Sequence, residues 1–148
     1  MHESESYVKS LENVRGGCWD SPVDVVPPLA GQALAGSDFT VAEWRDDGES
    51  SAERPIAPLH LHRSDDEAWI VLEGALGFVR GDDRLIAPAG AGVLVPRGLA
   101  HTFWNAADTP TRYLIVLTPR LAALIEALHG PVDDLRALFR RFDSELLE

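Results

Sequence analysis

The chain has 148 residues, enough for one domain with a sizeable core and too few for two. Hydrophobic residues at 45% and charged residues at 25% lie near the globular average, which argues against wholesale disorder. Lys and Arg number 13 against 24 Asp and Glu, and the net charge of −11 has the wrong sign for gripping nucleic-acid phosphates or anionic lipid.

The opening stretch, MHESESYVKSLENV, carries three glutamates and no apolar core, so it does not read as a signal peptide. Cys18 is the single cysteine, which excludes an intrachain disulfide and any multi-cysteine metal cluster. With no positive charge adjacent and no partner in view, it reads as an inert thiol. Glycine and proline then punctuate short apolar-rich stretches: 39–44, 58–62, 67–72, 76–79, 93–95, 102–104 and 112–117. Short strands at close, turn-marked spacing predict an antiparallel sandwich or barrel. Gly81-Asp82-Asp83 reads as a hairpin turn and residues 46–51 as an exposed loop. The longest apolar runs, such as Leu114-Ile115-Val116-Leu117, fall far short of the ~20 residues of a membrane helix, and a cytoplasmic protein without membrane contact is expected.

After residue 118 the pattern changes. Thr118-Pro119 predicts a helix start, and Leu121, Leu124, Ile125 and Leu128 follow at helical spacing. Gly130-Pro131 is expected to end that helix and begin another, with Asp133 and Asp134 in its first turn and Arg140 and Arg141 near its end. Its apolar stripe would be Val132, Leu135, Phe139, Phe142 and Leu146, packing on the barrel or on a second subunit.

Three of the five histidines form one pattern. His60 and His62 stand two apart in the strand-like PLHLH and so share a face. Glu67 follows at the start of EAWIVLEG, and His101 opens HTFWN. Neutral imidazoles with one carboxylate make a donor set for a divalent first-row metal, with positions left for water or substrate. Asp66 competes with Glu67 for the carboxylate role, and Glu67 is preferred because it leads directly into the strand. Counting in twos from Glu67 and His101 puts Trp69, Val71 and Phe103 on the metal-facing side as an apolar wall. Parity does not settle whether Trp44, Phe78 and Tyr113 line the mouth. No dinucleotide fingerprint, phosphate loop or serine-hydrolase elbow is present.

These residues resemble the two motifs of the cupin family. The first, Gly-X5-His-X-His-X3-4-Glu-X6-Gly, is matched by His60, His62, Glu67 and Gly74, with Arg54 in the place of the leading glycine. The second, Gly-X5-Pro-X-Gly-X2-His-X3-Asn, is matched throughout by Gly90, Pro96, Gly98, His101 and Asn105. Pro96 is expected at the second position of the turn that delivers His101, and Asn105 is assigned a structural hydrogen bond at the strand end.

The resemblance implies an all-β fold, a jelly-roll β-barrel with two short C-terminal α-helices. Residues 1–35 would cover the barrel, 36–118 form it, and 119–148 add the helical tail. It also implies one divalent metal ion (Fe, Mn, Ni, Zn, Co or Cu) on His60, His62, Glu67 and His101, with Glu67 as the catalytic group and Trp69 and Phe103 touching substrate. Quercetinase-like dioxygenases, acid decarboxylases, isomerases and polyketide cyclases share this ligand set. A metal-dependent, dioxygenase-like enzyme acting on a small, partly apolar molecule is the leading expectation. A non-redox isomerase or cyclase, or a non-catalytic binding module, is the alternative. Family members are frequently homodimers, and one is expected here. A DNA-binding regulator is disfavoured, because no helix-turn-helix domain fits beside the barrel.

Overall fold

The computed structural model describes residues 33–147. Ten strands and two helices follow in the order β1 (Ala33–Ala35), β2 (Thr40–Asp46), β3 (Ala57–His62), β4 (Glu67–Glu73), β5 (Ala75–Arg80), β6 (Asp83–Pro88), β7 (Gly92–Val95), β8 (His101–Asn105), β9 (Thr111–Leu117), α1 (Pro119–Leu128), α2 (Leu135–Arg141) and β10 (Ser144–Leu146). They build two five-stranded antiparallel sheets, ordered β1-β2-β9-β4-β7 and β10-β3-β8-β5-β6, the double-sheet jelly roll.

Alternation along the strands places the core. Trp69 and Val71 of β4, Tyr113, Ile115 and Leu117 of β9, and Phe103 of β8 all point between the sheets. Trp44, Phe78 and Tyr113 are among the largest fully buried side chains and lie in this core, not at a mouth. Phe78 packs at 5.2 Å from Trp69 and 5.8 Å from Phe103, and each such aromatic contributes about 1.5–3 kcal/mol through burial.

The expected hairpin is a two-residue loop, with Arg80 paired to Asp83 and Gly81 at φ 61°, the conformation a II′ turn needs at its first position. The 46–51 loop is less exposed than expected. Asp46 and Ser50 are buried because both serve Asn105: its backbone N–H donates to Ser50 Oγ at 2.8 Å, and its Nδ2 donates to Asp46 Oδ1 at 3.3 Å. Asn105 Oδ1 accepts from the Ala107 N–H and the Thr111 hydroxyl, so its role is the structural one.

The C-terminal tail departs from its sequence pattern in two places. The second helix begins at Leu135 and not at Pro131, because Asp134 is its N-cap and accepts from the Ala137 N–H at 3.1 Å. Leu146 does not continue the helical stripe. The chain turns at Asp143 (φ 53°), and β10 pairs with β3, matching Ser144 to His62 and Leu146 to His60. This closes the open edge of β3.

The tail packs on its own barrel. Leu121 and Ile125 enter the main core, while Leu124 joins Leu138 and Phe139 in a second cluster. β1 falls within the stretch read as an N-terminal cover and is an edge strand beside β2. The rest of that stretch, including Cys18, lies outside the described residues. Among the described residues no helix is long and apolar enough to cross a membrane.

Candidate metal centre

The four expected ligands come from three strands and both sheets. His60 and His62 project inward from β3, and His101 stands opposite His60 on β8. Glu67 opens β4 in the other sheet. A register shift between Ala57 and His60 marks a bulge in β3, which brings Ala57, His60 and His62 inward together. The β7–β8 turn docks on the same strand, since the Gly98 N–H donates to the His62 carbonyl at 2.6 Å. That turn is closed by Leu99 N–H to the Pro96 carbonyl, so Pro96 occupies its first position and not its second. Gly98 at φ 82° takes the third position, as a type II turn requires. Arg54, in place of the motif's leading glycine, needs no left-handed backbone and exchanges backbone hydrogen bonds with Ser51.

All four side chains are buried, and one donor atom from each lies within 4.8 Å of the others. His60 Nε2 and His62 Nε2 are 3.2 Å apart; Glu67 Oε2 is 3.2 Å from His62 Nε2 and 3.1 Å from His101 Nε2. Atoms bound at about 2.1 Å to one ion sit roughly 3.0–3.4 Å apart in octahedral or tetrahedral geometry.

The far nitrogens fix the tautomers. His60 Nδ1 donates to the Pro58 carbonyl at 2.5 Å and His101 Nδ1 to the Leu99 carbonyl at 2.9 Å, and a carbonyl can only accept. His62 Nδ1 lies 2.7 Å from Ser144 Oγ, whose own proton goes to the Phe142 carbonyl, so the hydroxyl accepts from His62. Each Nδ1 therefore carries a proton, so Nε2 is the nitrogen that each ring turns on the cluster and the one it can offer to an ion. Three Nε2 atoms and a carboxylate turned on one point form a donor set that a divalent cation can occupy.

The electrostatics agree. Burial, reinforced by the neighbouring His101 and His62, pushes His60 well below the ordinary imidazole range and keeps it in the neutral, ligating form. Burial alone would raise Glu67, but the facing His101 and His62 outweigh it and hold the carboxyl ionised, well below the usual range. Asp66 does not compete for the site. It is exposed, and its carboxylate accepts from the Arg97 N–H at 2.8 Å.

His60, His62, Glu67 and Phe103 line a cavity of about 420 Å³, within the range of small-molecule sites. The tail supplies another part of the wall, including Leu121, Leu124, Leu135 and Phe139. Phe139 meets the His60 ring edge-on at 5.4 Å. Trp69 stands behind the ligands, 5.8 Å from the His101 ring and 5.2 Å from Phe103.

Ser144, Phe139 and the tail's part in the cavity escaped the sequence reading. The apolar spacing announced a buried helix face without saying against what, and nothing in the spacing links Ser144 to His62. Replacing Ser144 by alanine is expected to weaken metal binding about 10- to 100-fold by freeing the His62 ring, with a small effect on metal-free stability. Titration of Zn²⁺ by calorimetry on wild type and Ser144→Ala checks this, and equal affinities would contradict it.

A protein-family model described as the cupin domain matches residues 51–117. Among solved structures, KdgF from Halomonas sp. is similar in fold at TM-score 0.50, with 16% identity over 60% of this chain and 76% of its own. A sugar phosphate isomerase of the cupin superfamily from Silicibacter pomeroyi is 31% identical over 57% of this chain at TM-score 0.47, and the match covers 52% of that protein's length. The polyketide cyclase RemF from Streptomyces resistomycificus is 25% identical over 57% of this chain and 56% of its own, at TM-score 0.46. No curated protein matches the chain. Both motifs and all four candidate ligands fall within the matched segment, so the family match and the resemblance read from the sequence cover the same stretch of this chain.

Proposed function

We propose that the protein is a metal-dependent enzyme acting on a small, partly apolar organic molecule, with dioxygenase-like chemistry as the first reading. The observation that carries it is the position of His60, His62 and Glu67 on the wall of an otherwise largely apolar cavity. A closed structural site would have no use for such an opening. The donor set suits one divalent transition ion, which when bound supplies Lewis acidity and, if redox-active, electrons for oxygen chemistry.

The chain's own groups divide the remaining work. His60, His62 and His101 present their Nε2 atoms, with each ring held from behind by Pro58, Ser144 and Leu99 respectively. Glu67, on the cavity wall, would take a proton from a bound substrate once its carboxylate swings off the metal. Phe103 supplies an apolar wall. Trp69 braces His101 and carries a buried indole N–H without a hydrogen-bond partner.

A non-redox isomerase or cyclase is the second reading, favoured by the same carboxylate: proton transfer beside a Lewis acid needs a base and no oxidant. The test is elemental analysis of protein purified anaerobically without chelator, followed by oxygen-electrode assays on phenolic and enolic compounds. Bound iron, manganese, nickel or copper with oxygen consumption supports the first reading. Stoichiometric zinc with full turnover under nitrogen supports the second. Compounds recovered unchanged with every metal would overturn both and leave a binding module.

A further inference from the structure

The cavity wall has two chemically different parts. The barrel part carries His60, His62 and Glu67; the tail part is apolar at Leu124, Leu128, Val132, Leu135 and Phe139, and Asp133 is its one charged residue. Among the described residues that line the cavity there is no lysine or arginine. Of the arginines on the segments next to it, Arg136 donates to the Leu146 carbonyl at 2.9 Å, and Arg140 and Arg141 are exposed on α2 outside the lining. Arg63 pairs with Glu145, and Arg120 pairs with Asp65 at 3.4 Å and Asp143 at 3.3 Å. A phosphate or carboxylate on a ligand needs cationic or N–H partners to replace its water, and this wall offers a carboxylate instead.

We infer that Asp133 is a specificity-determining residue, and that the cavity takes ligands with an oxygen-donor head for the metal and an apolar body ending in a neutral or cationic group, to the exclusion of phosphorylated or carboxylate-tailed molecules. This rests on the metal-site reading for the head group and on the tail's own geometry for the rest. Asp133 is exposed at the rim, so its effect is a modest, salt-sensitive one. The apolar part of the wall supplies the affinity, and Asp133 sets which terminus is tolerated.

The test uses three catechols that share one head and a six-carbon 4-substituent ending in methyl, ammonium or carboxylate, with unsubstituted catechol and ribose 5-phosphate as references. Binding to the zinc-loaded and the metal-free full chain is followed by calorimetry and thermal shift. The carboxylate-ended probe is expected to bind roughly fivefold more weakly than the ammonium-ended one at low salt, with the gap narrowing as salt rises. Asp133→Asn should close the gap and Asp133→Lys should invert it, while unsubstituted catechol binds all three proteins alike. Equal binding of the two charged probes to wild type, or ribose 5-phosphate binding as tightly as the catechols, would overturn the inference. Failure of zinc to bind at all, with charge selectivity still present in the metal-free chain, would overturn the metal reading alone.

Discussion

A His101→Ala variant is expected to lose the stabilisation that a divalent metal gives the wild-type protein. Free metal at a hundredfold excess over its dissociation constant stabilises the folded state by about 2.7 kcal/mol, a rise in melting temperature of roughly 8 °C for a chain of this size. His101 is 1% exposed, and its Nε2 is one of the four converging donors, so its removal opens the cluster on the β8 side. The quantity to compare is the rise on adding Zn²⁺ or Mn²⁺ after chelator treatment, measured for each protein against its own metal-free form. That difference is insensitive to the cost of the substitution itself. Asp66→Ala serves as the companion, because this carboxylate faces solvent and Arg97, and its metal-dependent rise should equal that of wild type. A full rise in His101→Ala would show that the ion sits elsewhere.

Phe139→Ala should produce the largest loss of stability of any single change in the tail. The side chain is 3% exposed, packs with Leu124 and Leu138, and places its edge on His60. Deleting a buried phenyl ring costs about 3–5 kcal/mol through lost transfer energy and the void left behind. Because α2 has only seven residues, part of that cost should appear as detachment of α2 and β10 and not as global unfolding. Urea unfolding with amide exchange separates the two. The expected result is early exchange at residues 135–147 with β4 and β9 still protected. A loss under 1 kcal/mol would mean that the tail contributes little to holding the site closed.

The candidate cluster was readable in large part because its spacing obeys the strand period. His60 and His62 lie two apart on a strand whose inner face is buried, and Glu67, Trp69 and Val71 follow the same parity on β4. Asp66 precedes β4 and faces solvent and Arg97, whereas Glu67 opens the strand and is buried in the cluster. Parity fails where a strand is irregular. From His60 it would turn Ala57 outward, and the bulge turns it inward.

Periodicity is equally mute about partners. Leu146 fitted a helical stripe by spacing, yet the left-handed turn at Asp143 ends the helix and the next residues find the free hydrogen-bonding edge of β3. Proline at 131 suggested a helix start, but the Asp134 cap, with its hydrogen bond to the Ala137 N–H, sets the boundary instead. A local pattern records which face is apolar; it does not record what that face meets.

The pairing of β10 with β3 bears on the order in which the molecule assembles. His62 and Ser144 are 82 positions apart, so their contact closes a long loop and should be among the slower steps of folding. Until it forms, β3 presents an unpaired border carrying two of the four ligands, and the His62 ring lacks the partner that orients it. A nascent chain synthesised only as far as α1 would hold His60, His62, Glu67 and His101 without that final strand. Metal capture in the native geometry would then be a late event, gated by arrival of the tail, and the interval before it is when that exposed border is most open to pairing with another chain.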